Sequence, residues 1–171
     1  MAPIVADLLE ALLQIKALAE TPARAARLLH STDPSRWTVR HRPDEWAPVE
    51  ILAHLADTEL VFGLGVRLVL SSERPLLPVF EQAVLAERAS YISWAPASAL
   101  GRFRTRRGET VELLASCSAA QLERVGLHPV RKVVSLADLV AIMLAHDTDH
   151  IGQIRERLGS GHSPEASPIK L

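Results

Sequence analysis

The chain is most informative at first for what it lacks. Its 171 residues include one cysteine, Cys117, so no internal disulfide can form and nothing requires an oxidising compartment. The net charge is −1, without the basic surplus that phosphate neutralisation needs, so nucleic-acid binding is not expected. No stretch approaches the roughly 18 consecutive apolar residues of a membrane span. The N-terminal MAPIVADLLEALLQIKALAE carries Asp7 and Glu10 and lacks the basic start and unbroken apolar block of a secretory signal. These absences lead to the expectation of a cytoplasmic domain with no membrane partner. Sustained period-2 alternation is missing too, so no sheet is expected.

What is present is a core-forming composition, 48% hydrophobic, in a length that suits one domain. Prolines punctuate it. Pro22, Pro48 and Pro96 each precede an apolar-periodic stretch, where the missing N–H of a first helical turn costs nothing. The pattern predicts helices over 4–19 and 22–31, a loop through DPSRWTVRHRPDEW, and a long helix from Pro48 to Ser71. SSERPLLP breaks that helix. A short helix over 80–89, a long one over 97–116 and a turn near 118–123 follow, then an irregular VGLHPVRKVV. The last helix starts at Ser135, with Asp138 in a capping-box relation, and stops at Gly159 as a left-handed cap. The fold class expected is all-α: a four-helix bundle over residues 1–159, with 72–96 as a long crossover connection and 160–171 as a flexible tail.

Two histidines occupy the core stripe of that last helix. Leu139, Ile142, Met143, His146, His150, Gln153, Ile154 and Arg157 follow the three-and-four spacing of one face. His146 and His150, one turn apart, stand roughly 6 Å apart along the axis and can converge on one cation. A third ligand belongs on a neighbouring helix, and His54 in VEILAHLADTEL is the candidate. Three neutral imidazoles would leave an open position, the arrangement of a reactive metal site. The competing reading is that each histidine is a hydrogen-bonded core residue. Asp147 and Asp149 are candidate partners of the imidazoles; Asp147 is expected to point outward and Asp149 to border the core stripe.

HDTDH is not a zincin HExxH, because aspartate replaces the glutamate and no third histidine follows at the spacing of that class. The His…His-Asp…Asp order of helical phosphohydrolases is only mimicked, with too long a gap from 54 to 146. A di-iron bundle would need inward Glu-x-x-His pairs, and none occurs.

The stretches EWAPVEILAHLADTEL and LAHDTDHIGQIRERL resemble the second and last helices of the DinB/YfiT-like family of metal-binding four-helix bundles. LPVFEQAVLAERASY and GLHPVRKVVSLADLV are similar to its middle segment and pre-helix loop. The resemblance covers residues 1–159. It implies that His54, His146 and His150 are metal ligands, that the bundle runs up-down-down-up with a crossover, and that the chain pairs as a homodimer. It also implies zinc, nickel or a similar divalent ion. Characterised members of the family include transferases and isomerases using low-molecular-weight thiols such as bacillithiol, mycothiol or glutathione. Two departures stand out: Ala47 replaces a serine cap, and QAV at 82–84 lacks an expected aspartate.

The resulting expectation is a divalent-metal protein that activates a small thiol for attack on an electrophile, an S-transferase. The alternatives are a metal-dependent hydrolase or a non-catalytic stress-response protein. Asp57, one turn from His54, is the candidate acid–base group, against an inter-helix hydrogen bond. His128 is divided between approaching the site and a surface loop. Arg102, Arg104, Arg106 and Arg107 are expected on a solvated face. Trp37, Trp46 and Trp94 are expected to anchor loops and helix entries, and Cys117 to be a buried small hydrophobe.

Overall fold

The computed structural model describes residues 2–159, with side chains from residue 8 onward. The expected tail, with His162, lies outside the described residues. Among the described residues six α-helices follow one another: α1 (Ala2–His30), α2 (Pro48–Ser71), α3 (Gln82–Arg88), α4 (Pro96–Ala115), α5 (Ala119–Leu122) and α6 (Leu136–Gly159). Two short strands, β1 (Val125–His128) and β2 (Lys132–Ser135), form an antiparallel hairpin before α6. Among the described residues, no helix is long and apolar enough to cross a membrane.

The four long helices form a bundle in which α1 and α2 each touch both α4 and α6. Side-chain pairs give the directions. Asp57 meets Arg106 and Glu59 meets Arg107, while Gly63 approaches Thr110, so α2 and α4 run parallel. Gly65 faces Leu139 and His54 faces His146, so α2 and α6 run antiparallel. Parallel neighbours need a return connection, and the segment between Ser71 and Pro96 supplies it as a crossover.

Helix starts follow their residues. Pro48 and Pro96 sit in first turns. Ala47 caps α2 without a side-chain bond, but Glu50 reaches back to the Ala47 N–H at 2.9 Å, which keeps half of a capping box. The box at α6 is complete: Ser135 N–H donates to Asp138 Oδ2 at 2.9 Å, and Asp138 N–H donates to Ser135 Oγ at 3.0 Å.

Four expectations are corrected. First, 4–19 and 22–31 are one helix, with Pro22 inside it. Proline cannot donate to the carbonyl four residues back, that of Leu18. The Arg107 guanidinium donates to that oxygen instead, at 3.1 Å. Second, VGLHPVRKVV is a hairpin, closed by Lys132 in the left-handed region at φ 70. The turn after β1 is held by His128, whose Nδ1 accepts the N–H groups of Val130 and Arg131, each at 3.1 Å. Third, Gly159 is the last residue of α6, and no described glycine has positive φ, so it is no left-handed stop. Fourth, the arginines of α4 do not share a solvated face: Arg107 is 2% exposed.

Arg107 organises the interior. Its Nε and Nη2 reach Glu59 Oε2 on α2, at 2.8 and 2.6 Å. Nη1 and Nη2 grip the Asp147 carboxylate on α6, and Nη1 also holds the Leu18 carbonyl on α1. One side chain of α4 thus binds the other three helices, with an acceptor for each donor of its fork. The network divides the apolar core. Ile51, Leu52, Phe103 and Ile154 belong to one cluster, and Val66, Leu114, Leu139 and Met143 to the other.

Replacing Arg107 by methionine would leave Glu59 and Asp147 as buried carboxylates without their cation. A loss of about 3–5 kcal/mol in urea unfolding is expected. An unchanged midpoint would show that the network does not carry the bundle.

Candidate metal centre

α2 and α6 supply the site from opposite directions. His54 lies in the first half of α2 and is fully buried, whereas His146 and His150, on either side of the middle of α6, are half-buried. The structure brings the three predicted histidines together. His54 Nε2 and His146 Nε2 are 3.0 Å apart, and one nitrogen from each of the three rings lies within 4.8 Å of the others. The ring centroids of His146 and His150 are 4.4 Å apart, and those of His54 and His150 are 4.7 Å apart.

Each imidazole is oriented by its surroundings. His150 Nδ1 pairs with Gln153 Oε1 at 2.9 Å; since the amide oxygen only accepts, the ring donates there and leaves Nε2 with a free lone pair. The Thr58 hydroxyl, one turn along α2, lies 3.2 Å from His54 Nδ1. Trp46 tilts against His54 at 5.1 Å, and Phe62 meets the edge of His146 at 5.7 Å. His146 Nδ1 is buried with no hydrogen-bond partner.

Burial, reinforced by the neighbouring imidazoles, pulls His54 and His146 down to about 3. Burial also lowers His150, against the opposing pull of Gln153. At neutral pH the three rings are therefore uncharged and present lone pairs, the form in which imidazole binds a metal. The donor set fits a divalent ion. With metal–nitrogen bonds of about 2.0–2.1 Å, ligand nitrogens stand roughly 3.0–3.4 Å apart, the spacing at which His54 and His146 already stand. Two facing Nε2 atoms can share at most one proton, whereas a cation satisfies both.

The two aspartates exchange their expected places. Asp147 points inward, 2% exposed, because Arg107 is there to receive it. Asp149 is exposed and touches the site only through its charge, which raises His150. Asp57 spends both oxygens on neighbours: Oδ2 accepts from the Tyr91 hydroxyl and Oδ1 from Arg106 Nη1, each at 2.7 Å. Burial, then the Asp57 bond, raise the Tyr91 hydroxyl far above its usual range. Trp37 is buried in the connection before α2, Trp94 stacks under Arg102 at 4.2 Å just before α4, and Trp46 lies against His54 of the site. Cys117 is half-buried, and burial raises its thiol. His41 Nε2 lies 2.6 Å from the Arg157 carbonyl, away from the site.

Sequence reasoning did not assign roles to Gln153, Thr58 or Phe62. The first two stand three and four residues after a histidine, which is the helical spacing at which side chains meet and the signal that could have found them.

An all-helical bundle with three histidines from antiparallel helices defines a class, and comparison with known proteins places the chain within it. The profile of the DinB superfamily matches residues 17–154. The chain belongs to that superfamily. It is 22% identical over 143 residues, 83% of this chain and 80% of the relative, to a Bacillus subtilis protein named "Putative metal-dependent hydrolase YfiT". Relatives with the same kind of name occur in Halalkalibacterium halodurans (23% identical, 84% of each chain) and Bacillus pumilus (28% identical, 83% and 81%). The solved structure of Bacillus subtilis YfiT, described as a probable metal-dependent hydrolase with an unusual four-helix-bundle topology, superposes with a TM-score of 0.78. It is 23% identical, covers 84% of this chain and 83% of its own, and shows the shared fold.

The shifts fix a pH response of the metal-free chain. Below pH 6.5 unfolded histidines take up protons that the buried rings refuse down to about 3, so the unfolded state binds more protons and stability is lost as pH falls across that window. Chemical denaturation of the metal-free protein between pH 7 and 5 should show this decline, with a shallower slope in His54→Leu. Parallel slopes would contradict the assigned burial.

Proposed function

We propose that His54, His146 and His150 bind one divalent metal ion and leave part of its coordination sphere to a small molecule. The observation that carries this is the convergence of three uncharged imidazoles with ligand atoms within 4.8 Å. Bound there, a divalent ion keeps its full positive charge and favours the deprotonated form of a thiol or a water at an open position. Zinc and nickel are the ions we expect, since imidazole suits both.

The chain's own residues prepare the site. Gln153 holds His150 with Nε2 presented, Thr58 steadies His54, and Phe62 and Trp46 keep the rings in an apolar surrounding. For the reaction, we favour transfer of a low-molecular-weight thiol such as bacillithiol to an electrophilic carbon. The supporting observation is that the inward carboxylates nearby are engaged, Asp57 by Tyr91 and Arg106, and Asp147 and Glu59 (through Oε2) by Arg107. A thiolate, once formed, needs no further base: its sulfur bonds to carbon as the leaving group departs with its electron pair. Hydrolysis is the second reading, favoured by the names of the relatives. It would draw on Asp57 as the acid–base group, which would first have to release a partner.

Protein purified without a histidine tag or chelator should carry about one zinc or nickel ion per chain by mass spectrometry. His54→Ala and His146→Ala should lose it while circular dichroism stays helical. Gln153→Ala should keep the site but bind roughly 10–100-fold more weakly. A folded wild type that takes up neither ion after add-back would contradict the metal reading. Thiol-dependent consumption of an alkyl halide would support transfer, and ester cleavage without thiol would support hydrolysis.

A further inference from the structure

Beside the histidines lies a cavity of about 130 Å³. Thr58 and Phe62 belong to both, since each lines the cavity and each touches a site imidazole. Its apolar wall comes from Val61, Leu77, Pro78, Phe80 and Leu139. On the α2 side, Gly65 leaves the space: a Cβ there would stand 3.7 Å from both Leu77 and Leu139, an ordinary contact. On the other side runs the segment 75–80, a strap tied to β1. The Leu77 N–H donates to the Leu127 carbonyl at 2.9 Å, and the Leu127 N–H donates to the Pro75 carbonyl at 2.8 Å.

No aspartate, glutamate, lysine or arginine lines this cavity. Its polar groups are Thr58, Gln82 and His128. Because His128 Nδ1 accepts two backbone N–H groups, the proton of the neutral ring sits on Nε2, the one ring nitrogen left to a ligand.

We propose that this cavity is the specificity pocket of the histidine site and receives a small uncharged apolar group, the size of a phenyl ring, attached to the ligand's metal-binding end. The assignment rests on the metal reading above. Size supports it, because an apolar protein cavity of about 150 Å³ accommodates benzene. Chemistry supports it as well: an apolar wall with a few uncharged polar groups suits such a ligand, whereas a charged substituent would be stripped of water with no counter-ion to meet it.

The test uses the cobalt-loaded protein and three hydroxamates, followed by the visible cobalt spectrum and by calorimetry. Benzohydroxamate should bind roughly tenfold or more tightly than acetohydroxamate, and 4-carboxybenzohydroxamate should lose that gain. Gly65→Leu, which fills the cavity, should remove the phenyl preference while cobalt uptake is retained. Val79→Trp, on the exposed rim, does the same without touching the core, should the first variant fold poorly. Cobalt uptake with equal affinity for all three probes, or a phenyl preference that both variants keep, would overturn the pocket assignment and leave the metal reading standing. Absence of cobalt uptake by the wild type would overturn the metal reading, and the pocket assignment with it.

Discussion

A single guanidinium, buried where four helices meet, constrains everything around it. Arg107 cannot give up its proton, so its burial requires acceptors for the whole fork. The bundle provides Glu59 from α2, Asp147 from α6 and the Leu18 carbonyl from α1. Each acceptor fixes the rotation and height of its helix against α4. The carbonyl is free only because Pro22 cannot bond it, so a residue that would ordinarily break a helix instead makes a docking point. Ion pairs of this kind add little net stability over an apolar core of the same shape, but they penalise any other arrangement of the helices heavily.

The same polar belt positions the three histidines. His146 and Asp147 are consecutive on α6, one turned to His54 of α2 and the other to Arg107 of α4. On α2, His54 and Glu59 divide in the same way. Locking Asp147 and Glu59 therefore sets the rotation of the two helices that bring the imidazoles together. Stability and site geometry are coupled through adjacent residues, without any chain of intermediaries. Burial then does the electrostatic work, holding the rings neutral and their lone pairs available.

How much of this could be read from the chain follows from the range of each interaction. The His146/His150 pair was visible because helical spacing alone puts them on one face, and His54 because it lies on a similar apolar stripe. Pro48–Ser71 emerged with the expected bounds, since a proline and a polar break mark its ends. Asp147 misled because its partner is 40 residues away, and no local pattern says that an arginine waits inside. The division at Pro22 misled for the same reason. The hairpin escaped notice because each strand has four residues, too few for alternation to stand out. The strap at 75–80 and its cavity depend on a pairing with β1 that spans about fifty residues of sequence. Local periodicity thus revealed the histidines of the candidate site, whereas the packing that orients them lay in long-range pairs.

The most direct test of the central claim is anomalous diffraction at the nickel or zinc edge, from crystals grown with that ion and no chelator. The account predicts one strong peak between His54, His146 and His150, bonded to three imidazole nitrogens and to at least one ligand that is not protein. A peak at any other set of side chains, a site closed entirely by protein ligands, or no peak at all in a folded and metal-exposed crystal would contradict it.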